Sequence, residues 1–438
     1  MYLPPSVQYC IRTLEQAHFS AYAVGGCVRD ALLDLTPQDY DLCTDATPQD
    51  LCRLFQGHTL VRSGEKHGTI GVVVDGKVYE ITTFRTEGSY TDGRHPDKVA
   101  FVTTLEEDLS RRDFTVNAMA FHPEKGLIDP WGGRQDLENK ILRTVGDPER
   151  RFREDALRIL RGVRFAVRFG LKPEPQTRTA MDALAPQMGK LAKERIFDEL
   201  CKLLPKMKAA DLLEFAPVLF QVLPVLAPMK DFQQHTHHHK YDVLTHTAMV
   251  LEATPEDLPL RWAALLHDTG KPAAFTLDEN GQGHFKGHAA ISARLAEQAL
   301  LDLKAPTALR ERVVFLIEHH MLDLTTDKRI LRRWLGKYSV DAYLQLLSLQ
   351  QADAAGKGVP LTDDPYPAIY AAITEILQED ACLSIKDLAV SGNDLISAGF
   401  TPGPNLGKIL NWLLERVQDE TLPNEKQALL DACKHFNT

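Results

Sequence analysis

Cysteine is sparse in this chain. Seven cysteines in 438 residues, an odd number with no Cys-x-x-Cys spacing, exclude a disulfide framework and a zinc ribbon and predict reduced core thiols. Long apolar runs are missing too. The stretch from Val218 to Met229 is short and interrupted by prolines, and Met1-Tyr2-Leu3-Pro4-Pro5 lacks the basic-then-apolar order of a signal peptide. The expectation is a cytoplasmic protein without a membrane span. Internal repeats and low-complexity segments are absent. Cations are in deficit, with a net charge of −10, which argues against a nucleic-acid enzyme because phosphate contacts need Lys and Arg. Their distribution reverses that argument. Lys140 to Lys172 holds ten basic residues against four acidic ones, a concentrated basic footprint in an otherwise acidic chain. The length is too great for a single core and suggests about three domains.

What is present centres on Gly25-Gly26-Cys27-Val28-Arg29-Asp30, followed by Asp39-Tyr40-Asp41. On an extended strand the period-2 spacing sends Asp39 and Asp41 to one face while Tyr40 and Leu42 point the other way. Two hard carboxylates on one face suit Mg²⁺, which keeps several waters and completes its shell with substrate phosphate oxygens. The paired glycines remove Cβ atoms where backbone N–H groups must approach a triphosphate, and Arg29 brings a planar donor to the same phosphates. Together these parts describe nucleotidyl transfer. The combination resembles the DNA polymerase β nucleotidyltransferase superfamily, in its class II tRNA nucleotidyltransferase and poly(A) polymerase branch. One departure is visible: Asp34 stands where that family usually has Gly after the Leu-Leu pair.

The first 140 residues alternate short apolar runs with turns, as an α/β domain does. Thr69 to Asp75 and Lys77 to Phe84 read as strands joined by a hairpin turn at Asp75-Gly76. On the second, Val78, Glu80, Thr82 and Phe84 share a face, which leaves two readings of Glu80 open: a third carboxylate beside the Asp pair, or a charge on an exposed strand edge. Arg85 to Asp97, rich in Gly, Thr, Asp and Pro, reads as a mobile loop. From about Asp147 onward the pattern is helical.

In the helical part, Ala156, Leu160, Val163 and Val167 form one apolar stripe, and Asp155, Arg158 and Arg161 step along its neighbour, with Arg164 and Arg168 toward the flank. Such a stripe is either a surface of intrahelical ion pairs or a recognition surface, and the use of Arg rather than Lys favours recognition. Cytosine and adenine each present an amino group beside an unprotonated ring nitrogen, so one carboxylate acceptor and one guanidinium donor fit both. Uracil and guanine present the inverse pattern and leave groups unpaired, at about 1–3 kcal/mol each. Asp155 with Arg158 should therefore accept CTP and ATP.

This segment, Arg111-Arg112-Asp113-Phe114-Thr115-Val116-Asn117-Ala118, and Lys193-Glu194-Arg195-Ile196-Phe197-Asp198-Glu199-Leu200 are similar to motifs of class II CCA-adding enzymes. Similarity returns at Ser391-Gly392-Asn393-Asp394-Leu395 and at Pro402-Gly403-Pro404. The resemblance implies metal at Asp39 and Asp41 and nucleotide contacts from Gly26, Arg29, Arg112, Asp155, Arg158, Arg161 and Arg164, with Gly25 and Gly26 amides holding the leaving group. It implies two-metal transfer with Mg²⁺, CTP and ATP as substrates and tRNA as partner. The loop from Arg85 to Asp97 matches the family's flexible loop, associated with the switch from C to A.

His246, the pair His267-Asp268, and Asp353 match the H…HD…D ligand order of the HD phosphohydrolase superfamily, with Gly270-Lys271 strengthening the match. Imidazole with carboxylate suits a divalent transition metal that can activate water against a phosphate ester. His288, His319 and His320 are further candidates, whereas His235, His237, His238 and His239 read as a solvated loop. The resemblance is thus to bacterial CCA enzymes carrying an HD domain, some of which add phosphatase, 2′-nucleotidase and 2′,3′-cyclic phosphodiesterase activities.

The expected architecture is α+β: a polymerase-β-like nucleotidyltransferase head over residues 1–145, a helical neck over 146–225 with the nucleotide template, an HD domain over 226–360, and a tRNA-binding helical tail over 361–438. Poly(A) polymerase and CC-only addition remain as rivals, as does, from another class, an HD phosphohydrolase with an RNA-docking head. The acidic balance and the intact motifs disfavour them. The sequence leaves the oligomeric state open.

Overall fold

The computed structural model describes the chain except residues 88–98, 237–239, 360–362, 380 and 437–438. Most of the loop expected at Arg85 to Asp97, and the run His237 to His239, therefore lie outside the described residues. The chain divides into two compact units, Met1–Met207 with Glu214–Pro224, and Lys208–Leu213 with Val225–Thr438. The expected head lies in the first unit and the expected HD and tail segments in the second, whereas the expected neck, 146–225, is divided, with Lys208–Leu213 and Val225 in the second unit.

The first unit is built on a mixed sheet. Its strands are β1 (Ala21–Val24), β2 (Asp41–Thr44), β3 (Leu60–Val61), β4 (Thr69–Val74), β5 (Lys77–Thr83), β8 (Ala120–His122) and β9 (Gly126–Ile128), in the order β3-β4-β5-β2-β1-β8-β9. β6 (Arg85–Glu87) and β7 (Val99–Phe101) pair separately, with Arg85 opposite Phe101. The β4–β5 hairpin turns at Asp75 (φ 50°) and Gly76 (φ 74°), the two left-handed residues that match strand twist in a two-residue turn.

One sheet face carries Tyr22, Val24, Cys43 and Phe84 into a buried cluster with Leu105 and Leu109 of the helix Leu105–Ser110. The period of the strand puts Asp41 on the same face as Cys43, beyond the edge of that cover. Leu42, on the opposite face, is wholly buried, as the alternation required.

β1 and β2 pair antiparallel with Val24 opposite Asp41. The chain leaving β1 therefore makes its Gly25-Gly26 turn beside the first residue of β2. Gly25 has φ 75° and ψ −122°, a conformation open essentially to glycine. The short helix Gly26–Leu32 follows, and Asp34 just past its end is left-handed at φ 56°. Asp tolerates that conformation better than most side chains, so the turn that relatives make with Gly is made here without it.

The helices after the head are α1 (Pro148–Glu154), α2 (Leu157–Phe169) and α3 (Lys193–Leu203). The continuous stripe from Asp155 to Arg168 needs correction. Asp155 is extended (φ −146°, ψ 105°) and separates α1 from α2. Its side chain accepts from the Leu157 backbone N–H at 3.0 Å, a local bond that competes with helix continuation. Leu160 and Val163 are buried on α2 as expected.

In the second unit, α4 (Val243–Ala253), α5 (Leu258–Leu266), α6 (His288–Asp302), α7 (Thr307–His319) and α8 (Val340–Gly356) form a helical body. Residues between Cys382 and Cys433 bury a core of their own around Leu395, Leu413 and Leu429. There the Ser391-Gly392-Asn393-Asp394 motif is a capping box, with Ser391 and Asp394 closing the start of the helix Gly392–Ser397. All seven cysteines are free, and Cys10, Cys27, Cys43, Cys382 and Cys433 are buried.

A Cβ at Gly25 would meet Arg112 NH1 at 2.9 Å as well as forcing an unfavourable φ. Gly25→Ala should therefore destabilise the protein by about 1–3 kcal/mol and push the Arg112 guanidinium out of place. Thermal melting reads the first effect, and a crystal structure of the variant reads the second.

Candidate active site and a second polar centre

A cleft of about 900 Å³ in the first unit is lined by Gly25, Gly26, Arg29, Asp39, Asp41, Arg112, Asp155, Arg158, Arg161 and Arg164, so it gathers the site residues expected from sequence. It also admits residues that sequence reasoning missed, including His67, Arg85, Arg111, Asp113, Asn117, Arg195 and Lys202. Cations outnumber carboxylates on its walls, which suits a polyanionic ligand.

Asp39 and Asp41 face solvent at the cleft. Burial of its flank, then the charge of Glu80, raise the Asp41 pKa; Arg112 opposes them and Asp39 adds to them. Glu80 is exposed on β5. Its effect on Asp41 is nevertheless that of a neighbouring carboxylate, because β5 runs parallel to β2 with Leu42 opposite Ile81.

The arginines do not hang freely in the cleft. Asp108, with no exposed surface, accepts from Arg111 Nε at 2.9 Å, Arg112 NH2 at 3.2 Å and the Arg85 backbone N–H at 3.3 Å. Burial would raise its pKa, but the two guanidinium groups hold it below the ordinary value. Asp113 accepts from Arg161 NH2 at 2.7 Å and from Asn117 Nδ2 at 3.0 Å. Asn117 Oδ1 in turn accepts from Arg29 NH1 at 2.5 Å. Arg164 donates to Glu199 at 2.6 Å, and Arg158 donates to Glu154 at 2.8 Å and to the Arg151 and Arg111 carbonyls.

This scaffolding corrects the picture of Arg29 as a freely offered phosphate donor. Arg29 is 5% exposed; Nε and NH2 bond Asp30 at 2.9 and 2.6 Å, and its guanidinium lies 4.3 Å from the Phe169 ring centre. The adjacent carboxylate and the aromatic wall claim most of its fork, leaving one hydrogen on each terminal nitrogen. Arg158 and Arg164 are similarly buried, whereas Arg112 and Arg161 keep exposed surface in the cleft. Asp155 is bonded by Arg195 NH2 at 2.7 Å rather than by Arg158.

The second unit brings together His246 from α4, His267 and Asp268 from the end of α5, and Asp353 from α8. His246 Nε2 is 2.9 Å from Asp353 and 3.3 Å from Asp268, and His267 Nε2 is 3.2 Å from Asp268. His288 and His320 join them, forming a second group with Asp268. His319 does not: its ring packs against Phe315 and Tyr338.

His267, His288 and His320 each place Nδ1 within hydrogen-bond distance of a backbone carbonyl three residues earlier, at 2.8, 2.9 and 2.6 Å. These bonds fix each ring so that Nε2 faces into the cluster, the orientation of metal-ligating imidazoles. His288 and His320 even face one another through Nε2 at 3.2 Å.

Burial would lower the His267 pKa, yet Asp268 and Asp353 push it up to about 10, while burial and the His267 charge push His320 down to about 4. Asp268 and Asp353 are held well below the carboxylate range. An adjoining pocket of about 480 Å³ is lined by Lys271, Lys286 and Lys357 beside Asp268, His288 and Asp353.

The model of the Poly A polymerase head domain matches residues 21–143, that of the probable RNA and SrmB-binding site of polymerase A matches 170–227, and that of a putative tRNA nucleotidyltransferase domain 2 matches 288–433. The chain is 36% identical over 429 residues to a CCA-adding enzyme of Levilactobacillus brevis, covering 96% of this chain and 95% of that one. It is 35% identical to a CCA-adding enzyme of Streptococcus gordonii over 98% and 97% of the two chains. Among solved structures it is similar to the Bacillus stearothermophilus CCA-adding enzyme in complex with CTP, at a TM-score of 0.70 and 30% identity over 99% of this chain and 98% of that one.

Asp113 sets a pH dependence. Burial would raise its pKa, but Arg161 and Asn117 lower it from 3.8 to about 2. A depressed folded-state value contributes stability that is present above the unfolded pKa and lost as pH falls through the folded one. The wild-type protein should thus lose on the order of 2 kcal/mol from this group between about pH 4 and pH 2. Asp113→Asn should remove that increment, and urea unfolding at stepped pH measures it.

Proposed function

Because this chain belongs to the CCA-adding enzyme family, and so extends tRNA 3′ ends from CTP and ATP without a nucleic-acid template, we propose that its cleft divides the reaction between a catalytic strand and a recognition wall. Nucleotidyl transfer of the polymerase β type uses a divalent metal, and we assign Mg²⁺ to Asp39 and Asp41. Two hard, solvent-facing oxygen donors opposite a cationic wall fit an ion that shares its shell with water and phosphate. When bound, it lowers the pKa of the attacking 3′-hydroxyl and offsets charge on the departing pyrophosphate.

The chain's own groups do the rest. Gly25 and Gly26 admit the triphosphate close to backbone, and Arg112, held from behind by Asp108, meets it beside the Asp pair. Arg29 steadies the turn and offers its remaining N–H groups to phosphate. Asp155 accepts from the amino group of C or A. Arg158 donates to the ring nitrogen after exchanging one of its carbonyl contacts, and Arg161 and Arg164 support the bound nucleotide from α2. Residues 1–145, 146–225, 226–360 and 361–438 would act as head, neck, HD domain and tRNA-binding tail, and tRNA as substrate places the enzyme in the cytoplasm.

The observation that carries this reading is the single cleft holding Asp39, Asp41 and Asp155 together among oriented arginines. Sequencing the 3′ ends of a truncated tRNA after incubation with all four nucleotides tests it: CCA is the expected end, a run of A would indicate a poly(A) polymerase, and arrest at CC a CC-adding enzyme.

A second reading of the other unit rests on its imidazole–carboxylate cluster. We propose that His246, His267, Asp268 and Asp353, with His288 and His320, hold a divalent transition metal of the HD type, with Lys271, Lys286 and Lys357 receiving a phosphate ester. The inward Nε2 atoms and two depressed carboxylates fit such an ion. It would supply activated water for phosphate hydrolysis, which can free a damaged RNA end for extension.

Asp41→Ala should abolish CCA addition, a loss of several kcal/mol in the transition state, while tRNA affinity measured by filter binding stays nearly constant. His267→Ala should remove any Ni²⁺- or Mn²⁺-dependent phosphohydrolase activity, and the rise in melting temperature on adding those ions, while CCA addition remains close to normal. An equal fall in CCA addition with an unchanged melting curve would show the two sites to be coupled.

A further inference from the structure

Asp155 stands between two helices with an extended backbone, so helical hydrogen bonding does not fix it. Its carboxylate is fixed from two sides instead. Oδ1 accepts from the Leu157 N–H at 3.0 Å; Oδ2 accepts from Arg195 NH2 at 2.7 Å, and Arg195 NH1 lies 3.4 Å from Oδ1. Arg195 comes from α3, and both it and Asp155 line the cleft. One turn further along the same face of α3, Glu199 binds Arg164 at 2.6 Å and lies 3.9 Å from Arg161. α3 thus offers a cation to the acidic member of the recognition wall and an anion to its basic members.

We infer that Arg195 is a specificity-determining positioning residue, which holds the Asp155 carboxylate so that one Oδ2 lone pair faces the incoming base. This rests on the reading of Asp155 as the acceptor for the amino group of C and A. A carboxylate oxygen accepts along two directions, and the Arg195 bond occupies only one on Oδ2. A planar guanidinium spanning both oxygens sets the plane of the carboxylate, which a point-like ammonium does not.

The fixed lone pair works in two ways. It meets the amino group of cytosine or adenine already aligned, and it stands against the carbonyl that uracil or guanine presents at the same position. A carboxylate tethered only at Oδ1 turns about its own bond and swings away from that carbonyl. Rejection then weakens more than acceptance does.

The test measures kcat/KM for CTP and UTP on a tRNA lacking its 3′ CCA, using the full-length protein and the variants Arg195→Met, Arg195→Lys and Asp155→Ala. The expected result for Arg195→Met is a fall of about tenfold in the CTP-to-UTP ratio, the scale of one charge-assisted hydrogen bond, carried more by a lower KM for UTP than by a higher KM for CTP, with kcat for CTP nearly unchanged. Arg195→Lys should recover part of the ratio, since it keeps the charge and loses the fork. Arg195→Gln reads the same ratio if the Met variant fails to fold.

An unchanged ratio in the Arg195 variants beside a collapsed ratio in Asp155→Ala overturns the role of Arg195 and leaves the reading of Asp155 standing. An unchanged ratio in Asp155→Ala overturns that reading itself. A uniform drop in kcat for both nucleotides in every Arg195 variant makes the residue a structural prop and also overturns the inference.

Discussion

Many cations cannot line one cleft unless something holds them there against mutual repulsion, and here that is done by carboxylates placed behind or between them. Asp108 holds Arg111 and Arg112, Asp113 holds Arg161, Glu199 holds Arg164, and Glu154 holds Arg158. Asp108 and Asp113 are buried, so each would be unfavourable without its cation, and each cation would be misplaced without its acid. The interdependence fixes a set of long, flexible side chains into one arrangement. It also explains why a chain with net charge −10 can present a positive site: acids neutralise the wall from within, and the remaining donors face the ligand.

The linkage reaches β2, which begins at Asp41. Asp113 joins Arg161 of the recognition wall to Asn117, and Asn117 joins Arg29 beside the Gly25-Gly26 turn. Because Val24 pairs with Asp41, the same turn lies next to the Asp pair. The Gly25-Gly26 turn, the Asp pair and the arginines of α2 are therefore tied by covalent neighbours and the hydrogen-bonded side chains of Asp113, Asn117 and Arg29. The second polar centre uses a different device. Three of its imidazoles, His267, His288 and His320, are oriented by carbonyls three residues earlier in the chain, so they are aligned locally, while Asp353 holds His246 from a distant segment.

The parts of this arrangement that depend on short-range pattern were legible from sequence. The Asp75-Gly76 hairpin, the inward turn of Leu42, and the apolar stripe through Leu160 and Val163 follow from period-2 and period-3.6 spacing. The convergence of His246, His267, Asp268 and Asp353 was legible only through a family resemblance, since the four lie far apart in the chain. The break at Asp155 was not legible, because the apolar periodicity continues through it and only a side-chain bond to Leu157 interrupts the helix. Nor were the partners of the arginines: Asp108 and Glu199 look like ordinary surface acids in their own segments, and Arg195 is forty residues from Asp155. Glu80 was readable as a neighbour of the acids, and the parallel pairing of β5 with β2 sets it beside Asp41.

Two buried thiols flank the Gly25-Gly26 turn and the start of β2, Cys27 next to Gly26 and Cys43 two residues after Asp41. Burial, and for Cys27 the charge of Asp41, pushes Cys27 up to about 11, and burial takes Cys43 well above its ordinary value. The thiolate is the form that oxidants and electrophiles attack, and in both residues burial disfavours it. The protonated, less reactive form of both thiols is thus maintained by apolar packing and, at Cys27, by the negative charge of Asp41 as well.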